Sequence, residues 1–229
     1  NPEFLPDDQL YAEWRIHAEF QGLRLKIGRW NILGSPIAIL VDFSDFLSKK
    51  NEIFGELWDG YRLDSLSGQW DYIEPALFGY ATGKIIENFV LFNLSQSERI
   101  VAHFHEWMTG TGILYLKDAL PQVGTIFTTH ATVLGRALAS NFKPLYEQLT
   151  NFVADDVAKE YRIVSKQSLE KICANEADVF STISEITATE CKQFLEKDVD
   201  LILPNGFEAS LIPEEPEFES GCARARSKL

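Results

Sequence analysis

The sequence predicts an α/β fold built on a doubly wound, mostly parallel sheet with helices on both faces. Three observations predict it. Short apolar segments of strand length recur between Arg99 and Leu203. Helical segments of about ten residues or more separate them, the length that a crossover between parallel neighbours requires. With 229 residues, 45% hydrophobic and 24% charged, the chain also has enough apolar material for one sizeable core.

The elements follow in order. Residues 1–24 are polar and interrupted by Pro2 and Pro6, and they read as a lead-in with a short helix around Leu10 to Phe20. Leu25 to Trp30 and the branched apolar run Ile37 to Phe43 have strand character and form a hairpin across the turn Asn31 to Pro36. Between Lys49 and Asp64, Phe54, Leu57, Trp58 and Tyr61 recur at helical spacing. A long helix is expected from Asp71 to about Leu94, with Ile73, Leu77, Tyr80, Ile85 and Phe89 as its apolar stripe.

The alternation then sets in. Strands are expected at Arg99–Phe104, Val123–Thr128, Asp178–Thr182 and Asp200–Leu203, with helices at Met108–Leu120, Ala131–Leu138, Val164–Glu176 and Thr187–Glu196. Around residues 139–163 the pattern lapses into an insertion. The resulting organisation is a lobe over 25–208, followed by a Pro-, Glu- and Ser-containing linker over 209–229 that leads toward a further domain.

Composition narrows the function. Thirty-four acids against 21 bases give a net charge of -13, which disfavours nucleic-acid binding, since a polyanion would be repelled. Cys173, Cys191 and Cys222 are widely spaced and form no Cys-x-x-Cys pair, so a reducing, cytoplasmic setting is expected rather than a disulfide framework. No run reaches the roughly 18–20 apolar residues of a membrane span.

Ligands of open parallel sheets gather outside the carboxyl ends of the strands. Three of the four histidines fall there: His103 and His105 at the end of one strand, His130 at the end of the next. Strand alternation puts His103 and His105 on one face. One reading of that pair is a metal site completed by His130 or Glu106 and serving a hydrolase; the plainer reading is hydrogen bonding to backbone or to substrate hydroxyls.

Gly110 and Gly112 open a helix directly after a strand, where bare amides can face an anion, although the third glycine of a dinucleotide fingerprint is replaced by Tyr115. Thr187 and Glu190 have capping-box spacing and read as a helix start. Asp198-Val199-Asp200 precedes a strand, at the wrong edge for a catalytic Asp-x-Asp, and reads as a solvated loop. Asn205-Gly206 follows the last strand as a turn at the ligand edge.

The segments His103-Phe104-His105-Glu106-Trp107-Met108-Thr109-Gly110 and Thr125 to Arg136, which contains Thr128-Thr129-His130-Ala131-Thr132, resemble paired signatures of the glycogen synthases of animals and fungi. Gly28-Arg29-Trp30-Asn31, the strand with Asp42, Val179 to Ala188 and Leu203-Pro204-Asn205-Gly206 agree with that family in order, so the resemblance spans about residues 25–210. It implies a two-lobed GT-B fold of Rossmann-like lobes, of which this chain is an incomplete N-terminal one. The reaction it implies is retaining, metal-independent transfer of glucose from UDP-glucose, or ADP-glucose in some bacterial members, to the 4-hydroxyl of an α-1,4-glucan such as glycogen. No cofactor is implied, and the complete protein is expected to form homo-oligomers.

Carried over by position, His105 is similar to the catalytic histidine beside the donor sugar. Glu106, Thr129, His130, Asn205 and Gly206 are expected to line the cleft or touch the donor sugar, and Gly110, Gly112 and Arg136 are candidates for an anionic group. The Lys-x-Gly-Gly loop of the family does not occur in the chain, nor does the C-terminal lobe, so the chain alone is expected to be inactive. A glucan-binding module without catalysis is the remaining alternative.

Overall fold

The computed structural model describes residues 3–95, 97–206 and 217–227. Strand β1 (Phe4–Pro6), helix α1 (Ala12–Phe20), β2 (Arg24–Trp30) and β3 (Ile37–Asp42) come first. A 3-10 segment, Ser44–Lys49, leads into α2 (Lys50–Tyr61), and α3 spans Trp70–Asn93. Then follow β4 (Val101–His105), α4 (Thr111–Ala119), β5 (Gly124–Thr129), α5 (Val133–Ser140), α6 (Ala154–Glu160), α7 (Val164–Glu176), β6 (Val179–Thr182), α8 (Glu185–Leu195) and β7 (Leu201–Ile202). The helix α9 (Glu217–Arg226) lies within the expected linker, whose residues 209–216 are outside the described ones.

The expected α/β class is present as a four-stranded, all-parallel sheet in the order β4-β5-β6-β7, flanked by helices. The four strands follow chain order, so the reversal that makes a sheet doubly wound is not among them. Register puts Phe104, Phe127 and Phe180 side by side on the helix-covered face, each at most 3% exposed. Burying an aromatic side chain of that size stabilises the fold by about 2–3 kcal/mol. The other face is more open, with Val101 62% exposed and His103, His105 and Leu201 also exposed.

The hairpin forms as expected and gains an edge strand: β1 and β3 both pair antiparallel with β2. Residues 1–24, expected as a lead-in, thus supply a strand and also α1, whose Trp14 and Ala18 are 1% and 0% exposed. The Trp14 indole N–H donates to Asn88 Oδ1 at 2.9 Å and its ring meets Phe89 edge-on. A buried indole needs such a polar partner, and α3 provides it.

Instead of carrying a single stripe, α3 is buried on two sides. Ile85 joins the core under the small sheet, while Tyr72, Ala76, Leu77 and Val90 join the core under the parallel one. Gly79 and Gly83 let α4 approach, since a Cβ at Gly79 would meet the Thr109 carbonyl at 2.9 Å and one at Gly83 the Tyr115 side chain. The stretch expected as an insertion carries Leu145, Leu149, Val157 and Ala158, which close a second core against Leu134, Leu138 and Phe194.

Candidate functional site

Strand β4 delivers two imidazoles to one face, as period-two alternation requires. The rings of His103 and His105 lie 4.1 Å apart between centroids. Parallel pairing sets His105 beside Thr128 and Thr128 beside Ser181. His103 Nε2 is 2.7 Å from the Thr128 hydroxyl, which shares a 2.5 Å hydrogen bond with that of Ser181. His130, one residue beyond β5, brings its Nε2 to 3.1 Å from His105 Nδ1. Partial burial, then the neighbouring His103 and His130, lower the pKa of His105, while Glu106 opposes them. Near neutral pH the His105 ring is therefore an uncharged donor and acceptor.

Between the two strand ends sits Glu106, whose backbone lies at φ 63° and ψ 157°. Only glycine takes that conformation without strain. Its surroundings fix it. The Glu106 N–H donates to the Thr128 carbonyl at 2.9 Å, and its Oε1 accepts from the His130 N–H at 3.1 Å and from the Arg136 guanidinium at 3.0 Å. Thr109 Oγ1 donates to the His105 carbonyl at 2.8 Å, closing the turn.

Behind His130, two buried glutamates grip the turn from β5 into α5. Glu170 of α7 is 0% exposed; its Oε1 shares a 2.7 Å hydrogen bond with Thr129 Oγ1, and its Oε2 accepts from the Val133 N–H at 2.9 Å. Burial pushes its pKa up to about 8. Glu190 of α8, 3% exposed, accepts from Thr132 Oγ1 and from the Tyr146 hydroxyl, each at 2.8 Å. Thr132 is also the N-cap of α5, accepting from the Gly135 N–H at 2.9 Å.

The structure brings His105, Glu106, His130 and Arg136 together and sorts the other expected residues differently. Thr129 is a correction: at 0% exposure it points inward to Glu170 and lines no cleft, because the side chain of Thr128 occupies the His103 face. Arg136 directs its charge at Glu106. Gly110 and Gly112 are buried, the first against Cys173 and the second against Phe104 and the Gly79 carbonyl, so close packing requires both. Asn205 and Gly206 are exposed beyond β7, a strand that lies three strand spacings or about 14 Å across the sheet from β4. Thr187 and Glu190 form no capping box; the N-cap is Ser184, whose Oγ accepts from the Thr187 N–H at 3.2 Å.

The three imidazoles of the metal reading are turned toward one another and toward Thr128. Among the described residues no group of three His, Cys, Asp or Glu side chains is placed to hold a metal ion. Asp200 works at the amino edge of the sheet, its Oδ2 accepting from the Phe180 N–H at 2.8 Å, and Asp198 pairs with Lys192. No helix among the described residues is long and apolar enough to cross a membrane.

The family model for glycogen synthase matches residues 12–229, nearly the whole chain. The chain belongs to the glycogen synthase family. It is 33% identical to glycogen [starch] synthase isoform 2 of Saccharomyces cerevisiae over 230 aligned residues, which cover 100% of this chain and 32% of the yeast protein. Glycogen [starch] synthase of Dictyostelium discoideum is 33% identical over 91% of the chain and 23% of its own length. The liver glycogen [starch] synthase of Rattus norvegicus is 30% identical over 91% of the chain and 29% of its own length. The chain thus spans between about a quarter and a third of these relatives.

The hydrogen bonds around the strand ends bring in residues that sequence reasoning passed over. Glu170 sits in a stretch that reads as an ordinary amphipathic helix, and nothing local marks it. Glu190 was visible only as half of a capping box. Ser181 fell within an apolar strand, and its pairing with Thr128 follows only from the parallel register.

Proposed function

We propose that this chain is the N-terminal lobe of a glycogen synthase of GT-B architecture, the lobe comprising 25–208 together with β1 and α1 that pack onto it, and leading through 209–229 toward a nucleotide-binding lobe. The complete enzyme, cytoplasmic and homo-oligomeric, transfers glucose from UDP-glucose to the 4-hydroxyl of an α-1,4-glucan with retention and without a metal. The observation that carries this reading is the His105–His130 pair at the carboxyl ends of two parallel strands in a chain of this family.

His105 faces the donor sugar in this reading. As an uncharged imidazole it accepts from or donates to a sugar hydroxyl, and it places a dipole beside the carbon on which positive charge develops as the glycosidic phosphate departs. His130 fixes the His105 ring through the shared hydrogen bond, and Glu106 fixes His130. Asn205 and Gly206 form the far wall of the cleft. Closure of the second lobe over this edge excludes water and aligns the acceptor.

The test is transfer of labelled glucose into glycogen from UDP-glucose and from ADP-glucose, by this chain, by the full-length protein and by full-length His105→Ala. The expected result is no transfer by the chain alone, transfer from UDP-glucose by the full-length protein, and a loss of about a hundredfold or more in kcat for His105→Ala. A full-length protein that transfers from neither donor overturns the reading; preference for ADP-glucose overturns the donor assignment alone.

A further inference from the structure

The turn that carries His130 is gripped from behind by a fully buried glutamate for which the cleft chemistry has no use. Glu170 is 0% exposed and takes part in no ion pair among the described residues. An unpaired buried carboxylate is costly, whereas a neutral carboxyl of the same shape is not, provided its proton has an acceptor. The acceptor is present. Thr129 Oγ1 lies 2.7 Å from Glu170 Oε1 and also 3.3 Å from the Ala131 carbonyl.

With Glu170 neutral, its O–H donates to Thr129 Oγ1, the threonine hydroxyl donates onward to the Ala131 carbonyl, and the Val133 N–H donates to the other carboxyl oxygen at 2.9 Å. The Thr129 hydroxyl, the Ala131 carbonyl and the Val133 N–H are then all satisfied through one directed chain of hydrogen bonds. With Glu170 ionised, Thr129 must turn its proton toward the carboxylate and the Ala131 carbonyl loses its donor.

We propose that Glu170 is a positioning residue for His130, acting as a neutral carboxyl that donates to Thr129 and accepts from Val133. Its burial, which raises its pKa to about 8, favours the same form. The charged and titratable groups that face it are Glu106 from the β4 end, Arg136 from α5, Cys173 one turn along α7 and Cys191 from α8. Both thiols are pushed up by burial and stay protonated near neutrality. Loss of the Glu170 proton above neutrality thus loosens the turn.

The assignment rests on the transferase reading for its activity arm, so the experiment has a second arm that does not. In the full-length protein, Glu170→Gln and Glu170→Ala are compared with the unchanged protein by kcat and KM between pH 6 and 9.5, and by amide hydrogen exchange across residues 129–136. Glutamine reproduces the neutral carboxyl: its NH2 donates to Thr129 and its C=O accepts from Val133.

The expected result is that Glu170→Gln keeps kcat within about threefold near pH 7 and removes the alkaline decline seen in the unchanged protein. Glu170→Ala loses about tenfold or more in kcat and exchanges its turn amides faster, since a misplaced cleft residue slows turnover even when the fold is kept. A Glu170→Gln protein as impaired as Glu170→Ala overturns the proposal, as does a folded Glu170→Ala with unchanged kcat. If the alanine variant does not fold, the alkaline limb of Glu170→Gln decides. If the unchanged protein transfers no glucose, the transferase reading falls, and the exchange of the Val133 amide in Glu170→Gln at pH 7 decides the positioning role: protection as in the unchanged protein upholds it, and faster exchange overturns it.

Discussion

The turn from β5 into α5 and the turn from β6 into α8 leave neighbouring strands at the same end of the sheet, and each starts its helix with a hydroxyl N-cap. Ser184 caps α8 by accepting from the Thr187 N–H, and among the described residues its only other side-chain bond is shared with the Thr187 hydroxyl. Thr132 caps α5 in the same way, yet the residues around it are also held by Glu106, Glu170 and Glu190 from three other elements. A single hydroxyl is evidently enough to begin a helix here. The additional carboxylates secure something else, and the residue that distinguishes the first turn from the second is His130.

Four measurements sharpen or break that contrast. The largest effect is expected from pH. The folded protein holds a proton on Glu170 that the unfolded chain releases near 4.5, so this contribution to stability is full below 4.5 and is lost as pH rises through about 8. Urea unfolding at pH 5 and at pH 9 is expected to differ by roughly 2–5 kcal/mol from this group, and Glu170→Gln is expected to flatten the difference. An unchanged slope in the glutamine variant removes Glu170 from the account.

Next comes Gly135→Ala, where the new Cβ would collide with the Glu190 carboxylate and crowd Thr132. Alanine ordinarily strengthens a helix by about 1 kcal/mol relative to glycine; here a net loss of about 2–3 kcal/mol is expected in chemical denaturation. Thr132→Ala removes the cap and leaves Glu190 short of a donor, for an expected loss of about 2 kcal/mol. Ser184→Ala removes a cap alone and is expected to cost about 1 kcal/mol. Equal losses for the two cap variants would erase the distinction between the turns.

The two turns also divide what was legible in the sequence. Strand-to-helix alternation located both, because apolar period and turn residues are local signals. The histidines were legible as candidates for the same reason: their place at strand ends depends only on where the strands stop. Thr129 was misjudged because the facing of the last strand residue depends on one position of register, and Thr128 takes the side that His103 occupies. Glu170 and Glu190 were illegible in principle. They lie 41 and 58 residues from the hydroxyls they meet, and only the packing of α7 and α8 against α5 makes the encounter. Trp14 shows the same limit at the amino end, where its partner Asn88 is 74 residues away.

The backbone of Glu106, bent into a region that suits glycine, sets two evolutionary pressures against each other. Glycine at 106 would relieve about 1–3 kcal/mol of strain but would release His130 and Arg136. Because the lost bonds offset the relieved strain, selection for heat resistance alone is expected to tolerate glycine at this position, whereas selection for turnover is expected to hold glutamate. Sequencing position 106 after each regime reads out which demand shaped it, without any kinetic assay.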